Sequence, residues 1–223
     1  MKRIVLLHTV KSVYETFGDD LRKLLGPDVI INNILDDFLA DDAARRGGVF
    51  TTNNKLRLMH DLENAQMASP DVIVVTCSTL SPYIPDLRQF FTTPIISIDD
   101  ALCRDAVHFG KKIAVLATAQ SALQPVIDKI RNEARRQGND VVISGACDPD
   151  AIAALKAGDR KTHDMLLLKL ASRVTDADII VLSQASMALM QNQVEALTGI
   201  KTISSPSLCQ LEVKDWFDQR GKA

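Results

Sequence analysis

The chain of 223 residues contains no G-x-G-x-x-G, no P-loop and no G-x-S-x-G, so neither a nucleotide cofactor nor a serine hydrolase has a motif to rest on. Its four cysteines, Cys77, Cys103, Cys147 and Cys209, lie far apart with no C-x-x-C pair, which argues against a disulfide framework and a zinc site alike. No His, Cys, Asp or Glu pair has metal-ligand spacing, and no metal is expected. Neither sign of charge dominates: 26 Lys and Arg stand against 28 Asp and Glu, a net charge of -2. A nucleic-acid partner, which needs a concentrated basic surface, is therefore not expected. With 10 Gly and 8 Pro there is no collagenous or disordered bias. No apolar run approaches the roughly 20 residues that span a bilayer. The opening "MKRIVLLHTV" has only Ile4 to Leu7 between its basic residues and His8, short of the ~7–15 apolar residues of a signal peptide. A reducing cytoplasm is the expected compartment, with no membrane partner.

What the sequence does have is alternation. Short β-branched runs alternate with helical patterns, the signature of βαβ units and parallel sheets. Strands are expected at 4–7, 29–34, 72–76, 95–98, 113–117, 141–144, 179–183 and 202–204. They divide four and four, and the halves correspond in order. "KRIVLLHT" (2–9) returns as "KKIAVLAT" (111–118), 109 residues on. "DVIVVTCSTL" (71–80) returns as "DIIVLSQASM" (178–187), and "PIIS" (94–97) as "KTIS" (201–204), both 107 residues on. Three matches in one order predict two similar flavodoxin-like α/β halves related by a pseudo-twofold axis, with a cleft between them. The expected boundaries are 1–98 and 99–205, with a C-terminal helix over 206–223 packing back on the first half. The charged run "DDFLADDAARRGG" (36–48) reads as a solvated face with Gly47 and Gly48 ending a helix, or as a flap.

Ligands of parallel α/β sheets bind at the carboxyl ends of the strands. That rule selects His8 and Thr9, Cys77 with Ser78 and Thr79, Thr118, and Gln184 with Ala185 and Ser186. "CSTLSP" (77–82) places Ser81 as an N-cap and Pro82 at the first helical position, a helix start whose dipole would lower the pKa of Cys77. The hydroxyls and amides of the selected turns suit a small carboxylate. The plainer alternative for a free cysteine is a small buried hydrophobe.

"VVTCST", "KKIAVLATAQSAL" and "VLSQASMA" resemble the aspartate/glutamate/hydantoin racemase superfamily, and the resemblance runs from "LLHT" to the "SSPS" after the last strand. It implies a cofactor-independent isomerase, a homo-oligomer, in which two cysteines move a proton on the carbon beside a carboxylate from opposite faces. Substrates of the family are small amino acids, hydantoins and related acids. Cys77 matches the first catalytic cysteine, and Ser78, Thr79 and Thr118 match positions that help hold the substrate. The second cysteine falls at Gln184, whose amide cannot act as acid or base. The alternatives are a one-base lyase, decarboxylase or cis-trans isomerase of the same superfamily, with maleate isomerases and arylmalonate decarboxylases as relatives, and a non-catalytic small-acid-binding protein. His8 is the candidate for any second acid.

Overall fold

The computed structural model describes residues 1–220. The chain divides into two compact units, one from Met1 to Asp100 that also takes in the chain from Pro206, the other Ala101–Ser205.

The first unit begins β1 (Lys2–His8), α1 (Lys11–Leu25), β2 (Val29–Leu35), α2 (Asp37–Arg45), α3 (Thr52–Met67) and β3 (Val72–Val75). A 3-10 turn (Ser81–Tyr83), a four-residue α4 (Ile84–Leu87), another 3-10 turn (Arg88–Phe90) and β4 (Ile95–Ser97) follow. The second unit is α5 (Asp100–Phe109), β5 (Lys112–Ala117), α6 (Gln120–Gln137), β6 (Val142–Cys147), α7 (Pro149–Lys156), α8 (Arg160–Ala171), β7 (Ile179–Leu182), a 3-10 stretch (Ala185–Met190), α9 (Gln191–Thr198) and β8 (Lys201–Ser204). The closing helix α10 (Ser205–Arg220) groups with the first unit, where Gln210 donates to the Phe17 carbonyl at 3.3 Å.

Each unit has one four-stranded parallel sheet, in the order β2-β1-β3-β4 and β6-β5-β7-β8. All eight expected strands form, with shifted ends. The largest shift is at β6, expected at 141–144 but running Val142–Cys147. The run Gly145-Ala146-Cys147 carries no strand propensity of its own and is held by pairing with Val115-Leu116-Ala117. The central strands are unbroken buried runs: Ile4 to Leu7, Val72 to Val75 and Ile179 to Leu182 are each at most 1% exposed. Continuous burial of this kind is what helices on both faces of a parallel sheet demand.

The aspartate that opens each repeated stretch has a structural task. Asp71 Oδ2 accepts the Arg3 amide at 2.8 Å while its own amide donates to the Arg3 carbonyl. Asp178 Oδ2 accepts the amides of Lys111 and Lys112, each at 2.8 Å, and its amide donates to the Lys112 carbonyl. Each thus fastens the third strand of its sheet to the first. The bonded amides hold the Asp178 carboxyl below the usual carboxylate range, because they favour its charged form.

The charged run at 36–48 is only partly a solvated face. α2 ends at Arg45 and the chain turns at Gly47, where φ is +66°, a conformation natural to glycine. Asp36 and Asp42, however, are 6% and 8% exposed. Asp42 accepts Arg46 Nε at 2.9 Å and Asn54 Nδ2 at 3.1 Å and Asp36 binds Arg57, so these two acids tie the run to α3 while Asp37 and Asp41 stay exposed.

Candidate active site

β1 and β3 are neighbours in the first sheet, and their carboxyl ends bring His8-Thr9 beside Thr76-Cys77; the Thr76 amide donates to the Leu7 carbonyl at 2.9 Å. Cys77 is 7% exposed. Thr9, beside it, is 3% exposed and its hydroxyl is buried without a hydrogen-bond partner. Burial pushes the Cys77 thiol up from its ordinary value, and the nearby Thr9, Leu80 and Thr79 only moderate that rise. In an apolar setting the charged form loses its hydration, while hydrogen bonds to it recover part of the loss.

This reverses the pKa expected from the sequence. No long helix begins after Cys77. Pro82 and Pro85 interrupt the chain, leaving the 3-10 turn and the four-residue α4, too short for an appreciable dipole. Ser81 is not a side-chain N-cap either: its hydroxyl donates to the Cys77 carbonyl at 3.4 Å and meets Ser97 Oγ at 2.5 Å. After Cys77 the chain makes a tight turn, in which the Leu80 and Ser81 amides donate to the Cys77 carbonyl at 3.1 and 3.2 Å. Ser78 donates to Asp99 Oδ1 at 3.0 Å.

His8 is fully buried and both ring nitrogens are engaged. Nε2 lies 3.0 Å from Asn33 Oδ1 and Nδ1 lies 2.7 Å from Thr76 Oγ1. The amide oxygen only accepts, so Nε2 carries a proton, while Thr76 Oγ1 stands between His8 Nδ1 and the Leu7 carbonyl, to which it donates at 3.1 Å. Burial holds the imidazole pKa below its usual value, against the opposing hydrogen bond to Asn33. Both ring nitrogens of His8 are therefore committed to its neighbours.

The second unit repeats the arrangement with Gln184 in the place of the thiol. Thr118 follows β5 as Thr9 follows β1, and Gln184 lies past β7 where Cys77 lies past β3. Gln184 Oε1 accepts the Thr118 amide at 2.7 Å, the Ala119 amide at 2.9 Å and the Thr118 hydroxyl at 3.1 Å. The hydroxyl of Thr118, the counterpart of Thr9, thus serves a carboxamide oxygen. Gln184 Nε2 makes no hydrogen bond among the described residues, and Gln184, Ala185 and Ser186 are all partly exposed. Ala185 and Ser186 open the 3-10 stretch, whose turn closes with Met187 N donating to the Gln184 carbonyl at 3.0 Å.

One constellation escapes sequence reasoning. Asp36 follows β2, its amide donating to the His8 carbonyl at 2.9 Å. Its side chain meets Arg57 and Asp61 of α3. Asp36 Oδ1 and Asp61 Oδ2 are buried without a donor between them. Burial pushes the Asp61 carboxyl up to about 7, helped by hydrogen bonding to Asp36 and by its charge and opposed by Arg57. The available signal was the repeat. Asp148 occupies the corresponding place after β6, its amide reaching the Ala117 carbonyl at 3.1 Å, and caps α7 by accepting the Asp150 amide. Asp36 caps nothing with its side chain.

All four cysteines are free. Among the described residues no three His, Cys, Asp or Glu side chains are placed to hold a metal ion, and no helix is long and apolar enough to cross a membrane.

The family model described as Asp/Glu/hydantoin racemase matches residues 9–209. Among solved structures, the fold is similar to glutamate racemase from Bacillus anthracis, with a TM-score of 0.73 at 16% identity over 99% of this chain and 83% of that one. Allantoin racemase from Klebsiella pneumoniae is similar with a TM-score of 0.66 at 17% identity, over 98% of this chain and 89% of that one. A maleate isomerase from Pseudomonas putida, in complex with maleate, gives 0.55 at 21% identity, over 97% and 93%. No curated protein matches the sequence.

Proposed function

Because the chain belongs to the Asp/Glu/hydantoin racemase family and is thereby an enzyme of the racemase type, we propose that it moves a proton on the carbon beside the carboxylate of a small acid, without a cofactor and with Cys77 as the base. The observation that carries this reading is the place of Cys77 just past the carboxyl end of β3, in a tight turn beside the unpartnered Thr9 hydroxyl. A buried hydroxyl without a partner is a donor free to serve a thiolate formed next to it.

In this reading the Cys77 thiolate takes the proton from the carbon, and the electron pair left behind passes into the carboxylate as an enediolate. Return of a proton from the same thiol regenerates the acid with unchanged handedness, its hydrogen exchanged for one from solvent. Thr9 and Thr79 stabilise the sulfur while it is negative. Ser78 and Thr118 act by positioning, since their hydroxyl hydrogens are already given to Asp99 and Gln184.

Gln184 favours one-sided chemistry over a two-thiol racemisation. A carboxamide neither takes nor gives a proton at accessible pH, and His8 has no ring nitrogen to spare. The same feature admits decarboxylation or cis-trans isomerisation, in which one thiol suffices.

The test is proton exchange in deuterated water across a panel of small carboxylic acids. Deuterium should enter beside the carboxylate with retained handedness, and Cys77→Ala should abolish it. Exchange that persists in Cys77→Ala, or that inverts the centre, refutes the assignment.

A further inference from the structure

Where α2 and α3 meet, within the first unit, a cavity of about 420 Å³ is lined by Arg46, Asn53, Arg57 and His60 among others. None of these belongs to the turn that carries Cys77. Arg46 Nε donates to Asp42 Oδ2 at 2.9 Å, and Arg57 Nε donates to Asp36 Oδ2. Both acids are buried, whereas both arginine side chains are about half exposed. Among the described residues no other hydrogen bond engages either guanidinium, so each keeps its two Nη groups for a ligand. Arg57 is held further by the Phe38 ring, whose centroid lies 5.0 Å from its Cζ, a contact that adds cation–π attraction.

We infer that this cavity binds a phosphate-type oxyanion, either free phosphate or the monoester of a small molecule, and it does so whatever the role of Cys77. A guanidinium fixed through Nε by a buried carboxylate presents the rest of its planar fork, and a fork takes two oxygens of one anion. Two forks at one cavity ask for more oxygens than a single carboxylate has, and a tetrahedral phosphate supplies them. Helix α3 adds to the attraction. Its 16 residues start at this cavity, with Thr51 as the N-cap and no acid in the first turn. The first amides of a helix have no partner within it, and its N-terminal end carries the positive pole of the dipole.

Asp36 and Asp42 balance the charge of the two arginines, so the attraction comes from directed donors and not from a concentration of positive charge. A Kd of about 1 mM or below follows from a few charge-assisted hydrogen bonds of this kind in an open cavity.

Titration calorimetry on the intact chain, with inorganic phosphate and methyl phosphate as probes and chloride holding the ionic strength constant, tests the site. The wild type should bind phosphate; equal affinity for the two probes identifies the free anion, and tighter binding of methyl phosphate identifies a phosphorylated small molecule, both in keeping with the inference. Arg46→Lys and Arg57→Lys keep the charge and remove the fork, and each should weaken binding about tenfold or more. Asn53→Asp sets a carboxylate on the exposed first turn of α3, where it suits the helix dipole. That variant should lose phosphate at an unfolding temperature no lower than that of the wild type. Wild type that binds neither probe overturns the inference, as does binding unchanged in Asn53→Asp or in both arginine variants. Phosphate binding that disappears in folded Cys77→Ala would put the anion at the thiol and overturn it too. Deuterium exchange in Cys77→Ala is scored separately, so the thiol assignment and the anion site fail independently.

Discussion

Asp61 and Asp36 act on each other within the first unit, each with a buried oxygen that has no hydrogen-bond partner, and Arg57 is bound to Asp36. The raised pKa of Asp61, about 7 against an unperturbed 3.8, has a definite sign in stability. Between those values the folded chain keeps a proton that the unfolded chain has released. Stability is therefore lost as pH rises from about 4 to about 7, and the slope from this group vanishes outside that window. Asp61→Asn replaces the titrating carboxyl with a neutral amide and removes the dependence. Urea denaturation at pH 5 and pH 8 should show the variant gaining on the wild type at the higher pH; a difference that does not vary with pH would refute the raised pKa of Asp61.

Burial of the Cys77 thiol predicts slow alkylation at neutral pH. The rate of iodoacetamide labelling should rise with pH along a curve whose midpoint lies above the ordinary thiol range of about 8.5. Thr9→Val keeps the shape of the side chain and removes one donor, so it should move the midpoint higher still. Mass spectrometry of the labelled peptide keeps Cys77 apart from the partly exposed Cys147. A midpoint unmoved by Thr9→Val would show that the hydroxyl does not act on the sulfur.

His8 should stay neutral below pH 6.5, because burial lowers its pKa despite the Asn33 bond. With the folded pKa depressed, the unfolded chain protonates first as pH falls, so this residue withdraws stability below about 6.5. Asn33→Ala removes a bond that raises the pKa and should lower it further, at a stability cost of about 1 kcal/mol. NMR titration of the ring protons follows both; a His8 resonance titrating at the ordinary value contradicts the placement.

The eight strands and their division were legible because buried parallel strands need unbroken β-branched runs, and Ile4 to Leu7 or Val72 to Val75 have no other reading. The counterpart relation of Cys77 and Gln184 was legible from the repeat. Their partners were not. Thr118 and Gln184 are 66 residues apart, and Asp36 and Asp61 are separated by a helix, so no local pattern records that they meet. The helix expected after Cys77 failed for a local reason that was on view: Pro85, three residues after Pro82, does not allow the first turn to be extended. Asp36 was passed over because it stands in a run whose charges resemble a solvated face, and only the fold shows that its oxygens turn inward.

Gly110 offers a packing test in the second unit. A methyl group there would meet Ile179 Cγ2 at 2.7 Å and Ile179 Cβ at 3.4 Å. A β-branched side chain at the start of a buried strand has little room to move. Gly110→Ala should destabilise the protein by ~1–3 kcal/mol, read as a lower urea midpoint with an unchanged slope. An unchanged midpoint would mean that the turn before β5 is looser than its contacts.

The helix α10 sets an order of events during synthesis. The second unit is continuous in sequence, whereas the first needs the chain after Pro206, which carries the buried Cys209, Val213 and Phe217. On the ribosome, the half that contains Gln184 emerges whole and can fold at once. The half that contains the thiol waits for the last helix to leave the exit tunnel, with an apolar face open until then. A transcript truncated before α10 would yield one finished half and one left without its closing helix, so loss of the final helix should expose the nascent chain to chaperones and proteases through its thiol-bearing half first.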